Sequence, residues 1–256
     1  MPAIIYDNIC KKFNNSKSFA VDHVSAEIDE GEFITILGSS GCGKTTLLKM
    51  TNRLYEPDEG KVLVEGQDIS TMDPVELRRR MGYVIQQVGL FPHMTIRDNI
   101  TAIPKLMKWD KARMDKRTDE LLELVGLEPS EFRDRYPHQL SGGQQQRIGL
   151  ARALVLDPDI MLMDEPFGAI DAITRLNLQN ELIRIHRTLG KTILFVTHDI
   201  NEAFKLGDRV MVMNKGKLLQ FDTPVNTVKA PADGFVRSLI ESARTQEEFW
   251  ESVRME

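Results

Sequence analysis

The sequence predicts an α/β protein: a core of parallel strands and helices, preceded by an antiparallel β part and interrupted by an inserted helical part. Three observations carry this. Apolar and helical segments alternate, as in residues 160–163, 173–189 and 192–196, and such alternation builds parallel sheets. The segments 33–37, 160–163 and 192–196 are apolar along nearly their whole length, as strands buried on both faces are. Between about residues 95 and 157 the pattern changes to charged stretches with a narrow apolar stripe, the mark of surface helices.

Residues 3–6, 20–21 and 24–28 read as strands, with the turn-forming residues Asn14, Asn15, Ser16 and Lys17 between them. Pro57, Asp58, Glu59 and Gly60 form another turn, leading into a strand at 61–64. These pieces make a small antiparallel sheet around the first α/β unit. Residues 33–37 are short, apolar and partly β-branched, so they form a buried strand, and 46–50 begin a helix. In the helix expected over 111–125, Leu121, Leu122, Leu124 and Val125 form the buried stripe and Gly126 is the C-terminal stop. A helix over about 144–156 turns Ile148, Ala151 and Leu154 inward. The core resumes with strand 160–163, helix 173–189 closed by Gly190, and strand 192–196. Residues 210–213 and 217–220 flank Asn214, Lys215 and Gly216, a hairpin signal. A helical tail follows from about 230. The expected division is a main domain over 1–240, its helical part at about 95–157, and a tail over 241–256.

The chain has 256 residues, enough for one large α/β domain or two small ones. Its net charge is −5. It lacks the basic stripe of a nucleic-acid binder, so no nucleic-acid partner is expected. Arg78, Arg79 and Arg80 read as a solvated helix face. Cys10 and Cys42 lie far apart, which predicts no disulfide framework and fits a reducing compartment. No run approaches 18 consecutive apolar residues, the length needed to cross a bilayer. No charged-then-apolar leader is read at the N-terminus. Any membrane work would have to come through a partner.

The run Gly38-Ser39-Ser40-Gly41-Cys42-Gly43-Lys44-Thr45 fits G-x-x-x-x-G-K-[ST] at every fixed position, between a strand and a helix. Glycines let backbone N–H groups curl around an anion, and the helix N-terminus adds partial positive charge. Lys44 supplies a charge for the outer phosphates, and Thr45 offers a hydroxyl to Mg²⁺. Cys42 occupies a variable position and is given no catalytic role. The core is therefore expected to be that of a P-loop NTPase with a parallel sheet.

Strand 160–163 runs into Asp164 and Glu165. Adjacent carboxylates at the end of a buried strand are costly unless they serve a cation or a reaction. Asp164 is placed to hold Mg²⁺ and Glu165 to polarise a water for attack on a γ-phosphoryl group. His198 ends the next apolar strand, where position favours a phosphate contact over a purely structural role. Leu140-Ser141-Gly142-Gly143-Gln144 leads into a helix. On the residues alone it is either a second phosphate cradle or a plain helix N-cap.

Taken together, these motifs resemble those of the nucleotide-binding subunit of ABC transporters, from about residue 4 to 239. Residues 38–45 match Walker A, residues 140–144 the signature without a substitution, and Asp164 and Glu165 the Walker B aspartate and catalytic glutamate. Gln86, within 83–87, matches the Q-loop glutamine, and His198 the switch histidine. Gly168-Ala169-Ile170-Asp171 is similar to the D-loop, with isoleucine where leucine is more usual. Phe13 falls where the family stacks an aromatic on adenine, Tyr or Trp being more typical.

The resemblance implies ATP and Mg²⁺ as cofactors. Glu165, His198 and Gln86 would be catalytic, and Thr45, Gln86 and Asp164 would face the metal. Phe13, Gly38, Ser39, Ser40, Gly41, Cys42, Gly43, Lys44, Thr45, Thr46, Ser141, Gly142, Gly143, Gln144 and Asp171 would line the nucleotide. Each chain carries one Walker A and one signature, about 100 residues apart, and in the family the signature of one subunit closes over the nucleotide of the other. A homodimer with two composite sites is therefore implied.

Residues 73–79, 89–96 and 195–199 look like those of importer ATPases for quaternary-ammonium osmoprotectants such as glycine betaine, carnitine and choline. Many of those carry paired CBS domains after the ATPase, which are not expected in the residues that follow 235–240 here. The implied partners are integral membrane permease subunits and, indirectly, an extracytoplasmic solute-binding protein. The implied place is the cytoplasmic face of the membrane. The alternatives are an importer ATPase for a different small solute, a soluble ABC ATPase acting without a permease, and a nucleotide sensor without turnover. The apolar group Leu90-Phe91-Pro92, just past Gln86, is expected to be a docking surface for the permease.

Overall fold

The structure is a computed structural model that describes residues 1–255 apart from 15, 16, 87, 169 and 233; the side chains of 246–255 also lie outside the description. In chain order the elements are β1 Pro2–Lys11, β2 Val21–Asp29, β3 Phe33–Gly38, α1 Lys44–Thr51, β4 Glu59–Val64, β5 Gln67–Asp68, α2 Pro74–Arg79 and β6 Met81–Val84. Then come α3 Ile96–Ile100, α4 Ala102–Leu106, α5 Lys111–Leu124, α6 Pro129–Phe132, α7 Gly142–Ala153, β7 Ile160–Asp164 and α8 Ala172–Leu189. The chain ends with β8 Thr192–Thr197, α9 Ile200–Leu206, β9 Arg209–Asn214, β10 Lys217–Asp222, α10 Pro224–Lys229 and α11 Phe235–Met255. They form two compact units, residues 1–74 with 194–256, and residues 75–193.

In the first unit β2, β1, β4 and β5 form the antiparallel sheet in that order. The strands expected at 20–21 and 24–28 are one strand, because the β1 ladder runs past a register shift from Ile9↔Val24 to Lys11↔Val21. β1 likewise continues beyond residue 6. The exposed Asp7 and Asn8 interrupt the apolar pattern, but Asp7 still pairs with Lys61 of β4, and pairing goes on at Ile9 with β2 and at Cys10 with β4. β3 is buried along its whole length and pairs in parallel with β9, from Ile34↔Arg209 to Gly38↔Met213. β9 returns antiparallel as β10 through Lys215 and Gly216, both at positive φ, the geometry of a type I′ turn. Leu37, Val210, Val212, Ala203 and Val236 form a core packed against Phe204 and Phe235. The expected turn residues 15 and 16 lie outside the described residues. Helix α10 was not foreseen, although Thr223 caps it by accepting from the Asn226 amide and Pro224 opens it.

In the second unit β6 and β7 pair in parallel, Val84 opposite Met163. Helix α5 buries Leu121 and Leu122 and ends as foreseen. Leu127 N–H donates to Leu122 O at 2.9 Å and Gly126 N–H to Glu123 O at 3.0 Å, the paired bonds of a Schellman stop. Helix α7 buries Ile148 and Ala151 completely. Arg147 on α7 donates to Val125 O at 2.7 Å and to Glu181 Oε1 at 2.9 Å, tying the end of α5 to α8. Burial pushes the Glu181 carboxyl up, opposed by the Arg147 charge. Helix α8 stops at Gly190, φ 62°.

Candidate nucleotide site

Every predicted site residue sits where a strand or a helix begins or ends. In the first unit, β3 delivers the phosphate loop at its C-terminal end and α1 follows. Gly43 caps α1 at φ 109°, and a Cβ there would lie 2.1 Å from Ala20 O, so only glycine fits. Lys44 is 4% exposed; its ammonium donates to Gly38 O at 2.8 Å and Ser39 O at 3.1 Å. An ammonium has three donors, so one remains for an anion. Ser39, Ser40 and Gly41 are exposed, whereas Thr45 and Thr46 are half-buried. Cys42 is buried in the loop, and desolvation pushes its thiol up, which suits packing and disfavours a reactive thiolate.

His198 directly follows β8, a neighbour of β3. The turn that presents it is fixed on its C-terminal side. Asp199 N–H donates to Thr197 Oγ1 at 3.0 Å, and Asp199 Oδ1 accepts from Asn201 and Glu202 N–H groups at the start of α9. His198 itself is exposed. Phe13 is 38% exposed, which leaves ring surface for a base. Its other support is Tyr55, edge-on at 5.3 Å, with Lys11 Nζ 6.0 Å from the Phe13 centroid. Tyr55 was missed by sequence reasoning, since nothing local pairs aromatics 42 positions apart.

In the second unit the parallel register of β6 and β7 brings Gln86 beside Glu165: Gln86 Nε2 donates to Glu165 Oε2 at 3.5 Å. Glu165 has φ 46°, a conformation that non-glycine residues seldom hold without a reason in their surroundings. Asp164, the last residue of β7, is half-buried. These are oxygen and amide donors, the set a hard cation such as Mg²⁺ takes.

The signature lies at the start of α7. Ser141 Oγ accepts from Gln144 N–H at 3.3 Å, and Gln144 Oε1 accepts from Ser141 N–H at 2.9 Å, a complete capping box. A Cβ on Gly143 would lie 2.6 Å from Thr174 Cγ2 on α8, whereas one on Gly142 would meet no atom of the described residues within 4 Å. Asp171 caps α8 by accepting from Thr174 N–H at 3.0 Å, and that bond holds its carboxyl below the usual carboxylate range. Thr174 therefore links the signature to the segment 168–171, a contact that sequence spacing did not reveal. Of that segment residue 169, like residue 87 beside Gln86, lies outside the described residues.

Past Gln86, Arg152 on α7 donates to Val88 O at 2.7 Å and Gly89 O at 2.9 Å. Phe91 is 43% exposed and lines a groove of about 520 Å³ with Val75, Arg79, Tyr83, Leu106 and Met107. Asn99 pins Phe91, accepting from its N–H at 2.7 Å and donating to its carbonyl at 3.1 Å. Arg78, Arg79 and Arg80 are exposed as expected, but the first two border this groove. Among the described residues no helix is long and apolar enough to cross a membrane.

The family model described as ABC transporter matches residues 21–168. The chain is 53% identical over 235 residues to the carnitine transport ATP-binding protein OpuCA of Listeria monocytogenes, covering 92% of this chain and 59% of that protein. It is 53% identical over 238 residues to the choline transport ATP-binding protein OpuBA of Bacillus subtilis, covering 93% and 62%. It thus spans about three-fifths of the length of these curated relatives. A solved dimeric structure of a post-hydrolysis state of the ATP-binding cassette MJ0796, bound to ADP and Pi, superposes with a TM-score of 0.76. That cassette is 34% identical, and the match covers 86% of this chain and 98% of that one.

Proposed function

The chain belongs to the ABC transporter family, and we propose that it is the ATP-hydrolysing subunit of a membrane importer for quaternary-ammonium osmoprotectants such as glycine betaine, carnitine or choline. The solute is proposed by kinship, from the likeness of residues 73–79, 89–96 and 195–199 and of the whole chain to the carnitine and choline transport proteins; fold and site speak only for the ATPase. The observation that carries the hydrolytic reading is Glu165, held at φ 46° just past β7 within 3.5 Å of the Gln86 amide.

In this reading the backbone N–H groups of residues 39–45 and the Lys44 ammonium bind the outer phosphates. Phe13 offers its ring to the base. Thr45, Gln86 and Asp164 are the residues that would hold Mg²⁺, which would neutralise phosphate charge. Glu165 accepts a proton from the attacking water and orients it. His198 donates to the transferring phosphoryl group. Ser141, Gly142, Gly143, Gln144 and Asp171 serve the nucleotide of a second copy, so the working unit is a homodimer, as the MJ0796 structure is dimeric. In this reading the Phe91 groove receives a cytoplasmic helix of the permease, and the protein works at the cytoplasmic face of the membrane. The clamp from Arg152 to residues 88 and 89 gives Gln86, the groove and the signature helix a common scaffold.

Glu165→Gln tests this. The variant should bind ATP as the parent does and lose turnover by about 10²–10⁴-fold. With ATP it should reach twice the monomer mass in light scattering. Parent-like ATPase activity in a clean preparation refutes the role of Glu165.

A further inference from the structure

Outside the nucleotide site, we propose a binding site for a borderline-soft divalent ion, Zn²⁺ by chemistry, formed by Cys10 on β1, His23 on β2 and Glu59 on β4. A sulfur, an imidazole nitrogen and a carboxylate oxygen from these residues all lie within 4.8 Å of one another.

Two irregularities in the sheet bring them together. On one side of β1 the register passes from Ile9↔Val24 to Lys11↔Val21, so that Asp22 and His23 both stand opposite Cys10, a bulge that re-aims side chains. His23 takes φ 50°, and its N–H donates to Cys10 Sγ at 3.3 Å. On the other side Cys10 pairs with Glu59 after a second register shift. The sulfur is buried, while His23 and Glu59 are exposed, so the two movable ligands lie on the solvent side.

A second feature points to a ligand independently. His23 Nδ1 is 2.7 Å from Asp22 Oδ1, and Asp22 is also 3.5 Å from the Lys217 ammonium. An imidazole that gives one N–H to a carboxylate presents the lone pair of its other nitrogen, the arrangement metal-bound histidines use. The donor set then selects the ion. Thiolate and imidazole favour Zn²⁺ over Mg²⁺ or Ca²⁺. The thiolate and the carboxylate together balance a charge of +2, and three protein ligands leave one position for water. Tetrahedral Zn²⁺ sets sulfur and nitrogen roughly 3.5 Å apart, against a spread of up to 4.8 Å here, so binding would draw the three ligands together. Binding releases the Cys10 thiol proton to the buffer. The ion would staple three strands just ahead of Phe13.

Co²⁺ titration of the full chain, without nucleotide or Mg²⁺, reads the site directly. One equivalent should raise a near-ultraviolet thiolate-to-cobalt charge-transfer band that one equivalent of Zn²⁺ removes. Cys10→Ser should abolish the band and Cys42→Ser should keep it. His23→Gln and Glu59→Gln, both at exposed positions, should weaken Co²⁺ binding by at least about 10-fold, the lower end of what loss of even an outer-shell partner costs, with unchanged melting of the metal-free protein, so the test stands even if Cys10→Ser folds poorly. A wild-type protein without the band, a band lost with Cys42→Ser, or unchanged affinity in both His23→Gln and Glu59→Gln overturns the proposal.

Discussion

Phe91→Asp separates a docking residue from a packing residue. Fully burying a phenylalanine side chain contributes about 1.5–3 kcal/mol, and Phe91 is 43% exposed. Removing its ring should therefore cost about 1–1.5 kcal/mol. The Arg152 guanidinium, 5.9 Å from the ring centroid, loses a weak ring contact and gains a carboxylate, which roughly cancel. The backbone bonds to Asn99 do not involve the ring and persist. Asn99→Ala is the contrast. That side chain is fully buried, accepts from Phe91 N–H and donates to the carbonyls of Phe91, Met94 and Thr95. Its loss leaves Phe91 N–H and Met94 O without this partner, while Phe91 O keeps Met94 N–H and Thr95 O keeps Asn99 N–H; at about 1–3 kcal/mol each, about 2 kcal/mol or more is expected. Urea unfolding at unchanged slope measures both. Phe91→Asp should unfold close to the parent, bind ATP as the parent does, and lose co-purification with the permease and solute uptake. If it unfolds as early as Asn99→Ala, Phe91 is a packing residue and the docking reading fails.

Ser141→Arg in the Glu165→Gln background should bind ATP yet remain monomeric in light scattering; equal dimerisation contradicts the composite-site reading. Gly143→Ala should cost about 1–3 kcal/mol in thermal unfolding, because its methyl meets Thr174. Gly142→Ala should leave unfolding within about 0.5 kcal/mol of the parent while weakening ATP-dependent dimerisation, and parent-like dimerisation there counts against a role for that glycine.

What was legible in the sequence is what local chemistry dictates. The phosphate loop was readable because its glycines and Lys44 obey a backbone requirement that tolerates few alternatives. The strands 33–37, 160–163 and 192–196 were readable because burial on both faces forces continuous apolar runs. Gly126 and Gly190 marked helix ends because the left-handed conformation there selects glycine. What was missed depends on contacts between distant segments: Tyr55 behind Phe13, Thr174 against Gly143, Asn99 under Phe91. The bulge at Asp22 and His23 was read as a break between two strands, because two polar residues interrupt the apolar pattern while the ladder resumes beyond them. Helix α10 carries its own signal in Thr223 and Pro224, but its six residues are too few to show helical periodicity.

The signature segment shows how a bland and a specific reading of the same residues coexist. The capping box accounts for Ser141 and Gln144, and the Thr174 contact accounts for Gly143. The cap, however, uses an acceptor lone pair of the Ser141 hydroxyl, and a hydroxyl also carries a proton to donate. A serine that caps its own helix can thus offer that proton, with the helix-end amides, to an anion. Gly142 is the residue that intrachain packing leaves unexplained, since a side chain there would meet open space. A methyl at that position matters only when something approaches from outside the chain. The residue is exposed at the N-terminus of a twelve-residue helix, where partial positive charge draws phosphate. A nucleotide held by a second copy, the composite site proposed above, would give Gly142 a physical reason to be there.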